Sequence, residues 1–238
     1  MNHPAISRVT PGTARPDRHW QIVRLGAAII ACALFVGCAS QARHLAVLAP
    51  EYQPENVFTY PPFLPLNLQR VAVLPLACDE PQADLPEGCE SLNPVLLAEL
   101  AKLKKFEIVT VNREQLRSRT GRSTWTGAEV LPNDLFDSLQ RTHGCDAVLF
   151  SQLTVFRAYA PLAVGWRFKL VDTRTRQVVW AADEVFDAGH PTVLNGARHF
   201  QFALNRNSPP SDDWGIRNSP RQFGQYAAAQ LLTTLPGR

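Results

Sequence analysis

From residue 70 onwards, the apolar positions follow strand and helix patterns in turn. Arg70–Leu76 is a short run rich in β-branched side chains and closed by a proline, which predicts a buried central strand. After Asn93 and Pro94, leucine and valine recur at helical spacing as far as Leu103, so we predict a helix that Asn93 caps and Pro94 begins. A lysine-rich stretch follows, as the helix dipole favours at a C-terminus.

The middle of the chain continues this alternation. Phe106–Val111 predicts a second strand. Leu131–Thr142 places apolar side chains on one side and predicts a second helix, which Gly144 ends. Ala147–Tyr159 then predicts a long third strand.

The C-terminal third begins with a predicted hairpin. Val164–Asp172 and Gln177–Phe186 flank a Thr-Arg-Thr-Arg turn, and apolar and polar side chains alternate along the first of them. Val193–Asn205 has a weaker helical pattern, and Ser219 and Pro220 begin a final helix. The order β-α-β-α-β-β-β, followed by helices, predicts an α/β (α+β) fold: a mixed five-stranded sheet with helices packed on it.

The N-terminal region has the pattern of an export signal. Four arginines and one aspartate precede residue 25, and an uncharged apolar run occupies Leu25–Gly37. A basic n-region, an apolar h-region and a small residue before the cleavage site are typical of signal peptides. Such a run rises only about 20 Å as a helix, too little to span a bilayer. We therefore predict a signal peptide over residues 1–37.

The end of this run resembles the lipobox of bacterial lipoprotein precursors, with the sequence Leu-Phe-Val-Gly before Cys38. The resemblance implies that Cys38 is acylated, with palmitate or a similar chain, and becomes the mature N-terminus. Two alternatives remain: Cys32, which has a shorter apolar run before it, and an ordinary secretory signal with an incidental cysteine. Ala39 and Ser40 follow where an aspartate would imply inner-membrane retention, so the resemblance implies an outer-membrane anchor facing the periplasm.

Charge and proline content divide the rest of the chain. Residues 1–37 hold four basic and one acidic side chains, so 20 of each sign remain and the mature chain is formally neutral. Neutrality gives no electrostatic reason to expect nucleic acid as a partner. Residues 38–68 contain five prolines and little periodicity, which predicts a lipidated tether. Residues 69–238 are then a single α/β domain.

The cysteines are interpreted from compartment and spacing. Cys78 and Cys89 bracket a short loop rich in turn-forming residues, and export exposes the chain to an oxidising compartment. We therefore predict a disulfide between them, worth about 3 kcal/mol in the loop-entropy treatment. Cys145 is left over beside His143. Because it precedes a strongly apolar strand, we interpret it as a buried small hydrophobe rather than a nucleophile or a metal ligand.

Motifs for catalysis are absent from the sequence. It contains no Gly-x-Ser-x-Gly, phosphate loop, His-Glu-x-x-His or paired Cys-x-x-Cys. The mature histidines lack zinc-ligand spacing, so no metal or cofactor is predicted. A non-catalytic binding module is therefore favoured. The alternative is a hydrolase-like envelope enzyme with a dispersed active site, which a cleft of convergent ionisable groups would indicate.

Two of the tryptophans suggest a binding surface. Trp166 and Trp180 lie in the hairpin strands, where core packing is the default. Trp125 and Trp214 lie in polar, turn-rich segments, where an exposed indole is costly unless it packs locally or meets a partner. We predict that they are anchors for another envelope protein or for self-association.

Several segments together carry a family resemblance: "RVAVLPL" from Arg70, "FEIVTVN" from Phe106, "GCDAVLFSQLTVF" from Gly144, and the hairpin ending "QVVWAADEVFD". The chain resembles the envelope lipoprotein superfamily around the curli secretion component and the penicillin-binding-protein activators. The resemblance covers residues 70–187 and implies a shared core sheet without catalysis. Pore formation is not implied, because the sequence lacks the second surplus hairpin that the curli component inserts in the membrane.

Lipid attachment at Cys38 predicts a simple result. Metabolic labelling with a fatty-acid analogue should mark the wild-type protein. The Cys38→Ala variant should carry no label and should no longer be found in the membrane fraction, because the acyl chains hold the protein at the bilayer. Labelling that survives the substitution would contradict the assignment.

Overall fold

A computed structural model describes residues 52–78, 84–204 and 214–238, so Cys38 lies outside the described residues. The α/β class is confirmed, with a six-stranded sheet in the described part of the chain. The strands are β1 (Val57–Thr59), β2 (Arg70–Val73), β3 (Glu107–Thr110), β4 (Ala147–Arg157), β5 (Ala163–Asp172) and β6 (Val178–Asp187). The helices are α1 (Leu85–Leu103), α2 (Arg113–Thr120), α3 (Leu135–His143), α4 (Pro191–Leu204), α5 (Trp214–Asn218) and α6 (Pro220–Leu232).

The sheet has the order β1-β6-β5-β4-β2-β3, and strand pairing changes from antiparallel to parallel at β4. On one side of β4, strands β2 and β3 run parallel to it and to each other. On the other side, β5, β6 and β1 are each antiparallel to their neighbours. The predicted hairpin is present as β5 and β6, and its Thr-Arg-Thr-Arg turn is held by Asp172, whose carboxylate accepts the N–H groups of Arg174 and Thr175 at 2.8 Å each.

The sixth strand comes from the segment predicted to be part of the tether. β1 pairs with β6, and Leu64 and Leu68 are buried in the main core. The backbone N–H of Leu64 also donates to the carbonyl of Gly237 at 2.8 Å. Prolines prevent a long regular element here, yet they allow a three-residue edge strand and leave the leucines between them free to pack. The folded domain therefore includes residues 52–68, which the composition had assigned to the tether.

Helix α1 begins well before Pro94, its predicted first residue. It starts at Leu85, so Pro94 lies inside the helix and Asn93 is not its cap. An internal proline costs a helix roughly 3 kcal/mol. Burial of Leu85 and Leu92, together with the bond that ties Cys89 to Cys78, offsets this cost. The prediction of the start was wrong because tertiary contacts, absent from local propensity, extend the helix past its proline.

Helix α2 was missed altogether, because its sequence is almost entirely polar and buries a single side chain, Leu116. Its start follows ordinary capping rules nevertheless. The side chain of Asn112 accepts the N–H of Glu114 at 2.7 Å, and Gly121 ends the helix at φ 79°.

The sheet carries a core on each face. The larger core holds Trp166, Phe168 and Trp180, whose rings stack with centroids 5.5 and 5.9 Å apart. Helices α1 and α6 cover this face. Each aromatic pair adds about 0.5–1.5 kcal/mol beyond its buried area, so the predicted core role of both tryptophans is confirmed. The smaller core lies on the other face under α2 and α3 and contains Cys145, which is buried as predicted.

Gly88 lets α1 approach the sheet closely, since a Cβ there would lie 2.5 Å from Cγ of Phe156. We expect Gly88→Val to lower the free energy of unfolding by about 1–3 kcal/mol, because the added atoms overpack this contact. Gly237→Val is the matched control, since a Cβ there meets nothing within 4 Å. Equal stability of both variants in denaturant titrations would show that α1 does not pack as described.

The structure pairs Cys78 with Cys89, with their Cα atoms 6.5 Å apart. In unreduced, denatured mature protein, a thiol reagent should label Cys145 and neither of the paired cysteines. Reduction should lower the melting temperature, because opening the loop removes about 3 kcal/mol in the loop-entropy treatment. Labelling of both Cys78 and Cys89 before reduction would exclude the bond.

Candidate interaction surfaces

Trp125 is a core residue in this structure rather than an exposed anchor. Its side chain is 7% exposed and packs in the smaller core. The indole N–H donates to the hydroxyl of Thr120 at 2.9 Å, and the guanidinium of Arg122 lies 4.5 Å from the ring centroid. The turn-rich sequence around Trp125 suggested exposure, but the loop folds back so that the ring covers the sheet. Contact of the indole itself with a partner is therefore not supported.

The surrounding loop, residues 121–130, is held in one shape by Glu129. Its carboxylate accepts the backbone N–H of Thr126 and a guanidinium N–H of Arg122, both at 2.7 Å. Burial alone would raise the pKa of Glu129, but these donors hold it below its ordinary value. The loop presents one large apolar side chain to solvent, Val130, which is 94% exposed.

Trp214 begins the short helix α5, and its side chain lies outside the described residues. Its predicted role in binding a partner stays a prediction. The neighbouring Ile216 is buried in the main core, so this helix is attached to the domain.

The antiparallel part of the sheet presents an open face, formed by Phe58, Arg167, Asp183 and Val185. These side chains belong to neither core, and they are exposed or half-buried. Arg167 donates to Asp183 at 2.7 Å and to the side chain of Gln152 at 3.2 Å, which orders the middle of this surface. Phe58 and Val185 are apolar and exposed.

Loop 121–130 borders the open face. The ammonium group of Lys169 donates to the carbonyl of Gly127. Lys169 lies two residues from Arg167 on the same strand, so both side chains leave the sheet on the same side. The loop around Trp125, where the sequence predicted partner binding, therefore lies next to the open face, which the sequence did not predict.

Cys145 and its neighbour His143, which the sequence raised as candidates for chemistry, both have shifted pKa values. Burial raises the pKa of the Cys145 thiol, and the 1% exposed side chain is a poor nucleophile. Burial, with help from Arg119 and Arg70, lowers the pKa of His143. The cavity beside His143, between α2 and α3, measures about 10 Å³, room for one water molecule. Within residues 52–78, 84–204 and 214–238, no group of three or more His, Cys, Asp or Glu side chains could hold a metal ion.

The chain resembles known proteins in architecture, at low sequence identity. No protein-family profile matches it, and no curated protein sequence does. Among solved structures it resembles the PelC dodecamer from Paraburkholderia phytofirmans, with a TM-score of 0.43 and 13% identity over 76% of this chain and 96% of that chain. Lipoprotein GNA1162 from Neisseria meningitidis gives 0.37 and 18% over 58% and 97%. The LpoB C-terminal domain from Salmonella enterica gives 0.31 and 17% over 50% and 82%.

At these TM-scores the likeness carries no argument about the activity or partners of this chain. Membership of the envelope lipoprotein superfamily stays a prediction from the sequence motifs. Among the described residues, no helix has the length and apolar character needed to cross a membrane.

The burial of Trp125 predicts a stability effect. We expect Trp125→Ala to lower the free energy of unfolding by about 3–5 kcal/mol, because it leaves a cavity in the smaller core. Val130→Ala, in the same loop, should change it by about 0.5 kcal/mol or less. Thermal or denaturant unfolding of the two variants measures this difference. A Trp125→Ala protein as stable as wild type would show that the indole is not a core residue.

Proposed function

We propose that this chain is a bacterial envelope lipoprotein, anchored at the periplasmic side of the outer membrane by an acylated Cys38, whose α/β domain binds another envelope protein without catalysis. The export pattern before Cys38 supports the location and the anchor. The disulfide between Cys78 and Cys89 suits an oxidising compartment.

One observation carries the binding role: the open face. It combines two exposed apolar side chains, Phe58 and Val185, with an ordered ion pair between Arg167 and Asp183. Protein interfaces commonly surround apolar contacts with paired charges, which add specificity and set the relative orientation of the partners. The structured loop 121–130 gives the face a rigid border, so little ordering entropy would be lost on binding.

The partner proposed here is a folded envelope protein, and a second copy of this chain is one form that it could take. The thiol of Cys145, the one candidate nucleophile that the sequence raised, is buried and its pKa is raised, which supports a non-catalytic role. Arginine and aspartate on the open face already neutralise each other, so the surface suits a partner with mixed charge rather than a polyanion.

Val185→Glu tests this proposal. Val185 is 45% exposed, so the substitution should leave the melting temperature near wild type while placing a desolvated charge in the interface. We expect recovery of the crosslinked partner from membranes to fall at least tenfold, which corresponds to about 1.4 kcal/mol.

The control is Leu204→Glu, which introduces the same charge at another exposed apolar position, at the end of α4. It should leave partner recovery unchanged if the open face is the contact surface. Equal recovery with Val185→Glu and wild type would contradict the proposed site. Loss with Leu204→Glu alone would move the site to the surface around α4.

A further inference from the structure

A second surface lies at the end of the sheet where β1 and β5 finish and β6 begins. The chain leaves β1 with the sequence Tyr-Pro-Pro-Phe-Leu-Pro-Leu over residues 60–66. Tyr60, Phe63 and Leu66 are 63%, 64% and 80% exposed, while Leu64 between them is buried in the main core. Buried Leu64 and its bond to Gly237 fix the backbone, so the three apolar side chains are held outward. We call this the apolar end.

A groove of about 260 Å³ lies beside the apolar end. It separates Tyr60 and Asn67 from the hairpin turn, which contributes Arg174 and Gln177. Asp172 also lines the groove, but its carboxylate is buried and accepts the N–H groups of the turn. Within the described residues Arg174 forms no ion pair, so the guanidinium remains available for an anion.

The combination matches the chemistry of a bilayer surface. Tyrosine favours the boundary between lipid headgroups and acyl chains, while phenylalanine and leucine insert into the acyl region just below. Arginine pairs with phosphate through several N–H donors at once. The groove thus places a phosphate-binding side chain beside three side chains suited to shallow insertion.

The length of the chain before the domain allows this contact. Residues 39–51 number 13 between the proposed anchor and the first described residue, and an extended chain of that length reaches up to about 45 Å. Tyr52 packs on Phe186, at the far end of β6 from the apolar end. Strand β6 has 10 residues, and a strand of that length covers about 33 Å. The tether can therefore span the height of the sheet.

We propose that the apolar end rests on the bilayer, with Tyr60, Phe63 and Leu66 in the interface and a phospholipid phosphate held by Arg174 in the groove. This inference rests on the proposed membrane anchoring. Tethering keeps the local lipid concentration high, so a shallow contact by three side chains suffices to orient the domain. The open face then stands clear of the membrane for a protein partner.

The test uses full-length protein purified from membranes and reconstituted into vesicles of phosphatidylethanolamine and phosphatidylglycerol. An environment-sensitive fluorophore is attached to Leu66→Cys or to the control Val130→Cys, both at exposed positions. Cys145 is buried and Cys78 is bonded to Cys89, so the introduced thiol reacts selectively. The fluorophore at position 66 should shift to the blue and be quenched by headgroup-region nitroxide lipids. At position 130 neither change is expected.

Substitution of Arg174 gives the second readout. Arg174→Gln should lower the ratio of inserted to free fluorophore at position 66 about fivefold in vesicles with phosphatidylglycerol. The effect should be absent in vesicles of an uncharged glycolipid that carries no phosphate. Arg117→Gln, an exposed arginine on α2, is the control and should leave the ratio unchanged.

The outcomes separate this inference from the proposed function. An anchored protein whose fluorophore at position 66 stays in water contradicts the inference alone. Shielding at position 66 that appears only after membrane proteins are added also contradicts it, and assigns the apolar end to a protein. A protein that is absent from membranes and carries no label at Cys38 contradicts both proposals.

Discussion

The stack of Trp166, Phe168 and Trp180 is the constraint on which the rest of this structure depends. These three rings lie on one face of the β5–β6 hairpin and are fully buried. Because successive side chains on a strand point to opposite faces, burying this set turns Arg167, Asp183 and Val185 outward. A register slip of one residue would bury the ion pair and expose the indoles. The identity of the open face thus follows from packing on the other side of the sheet.

The same stack explains why the proposed surfaces are oriented as they are. β1 pairs with β6 beside the stack, and this pairing places Phe58 on the open face and carries the chain to the apolar end. One surface therefore lies on the side of the sheet and the other at its end, so a membrane and a protein partner could be engaged together. The tether joins the domain near Phe186, remote from the apolar end. Its reach of up to about 45 Å exceeds the length of β6, about 33 Å, so the arrangement is sterically possible.

Much of the fold could be predicted from periodicity, whereas the surfaces could not. The buried strands and the hairpin have strong apolar patterns, and their order gave the α/β class. Helix α1 continues past Pro94 because a disulfide and buried leucines outweigh the local tendency of proline to end a helix. Strand β1 was not predicted because a three-residue edge strand is too short to show an apolar periodicity. Trp125 was misplaced because a polar, turn-rich sequence does not show that its loop folds back onto the sheet. Predicting the open face required the pairing register of β1, β5 and β6, which no single segment of the sequence contains.

The most direct measurement of the central claim is site-specific photocrosslinking along β6 in living cells. A photoreactive residue at Asp183 or Val185 faces outward, while one at Glu184 points to the opposite side of the same strand. If the outward side of the hairpin binds another envelope protein, adducts should form at positions 183 and 185 and be absent at 184. Adducts at 184 as abundant as at its neighbours, or none at any of the three positions, would contradict the account.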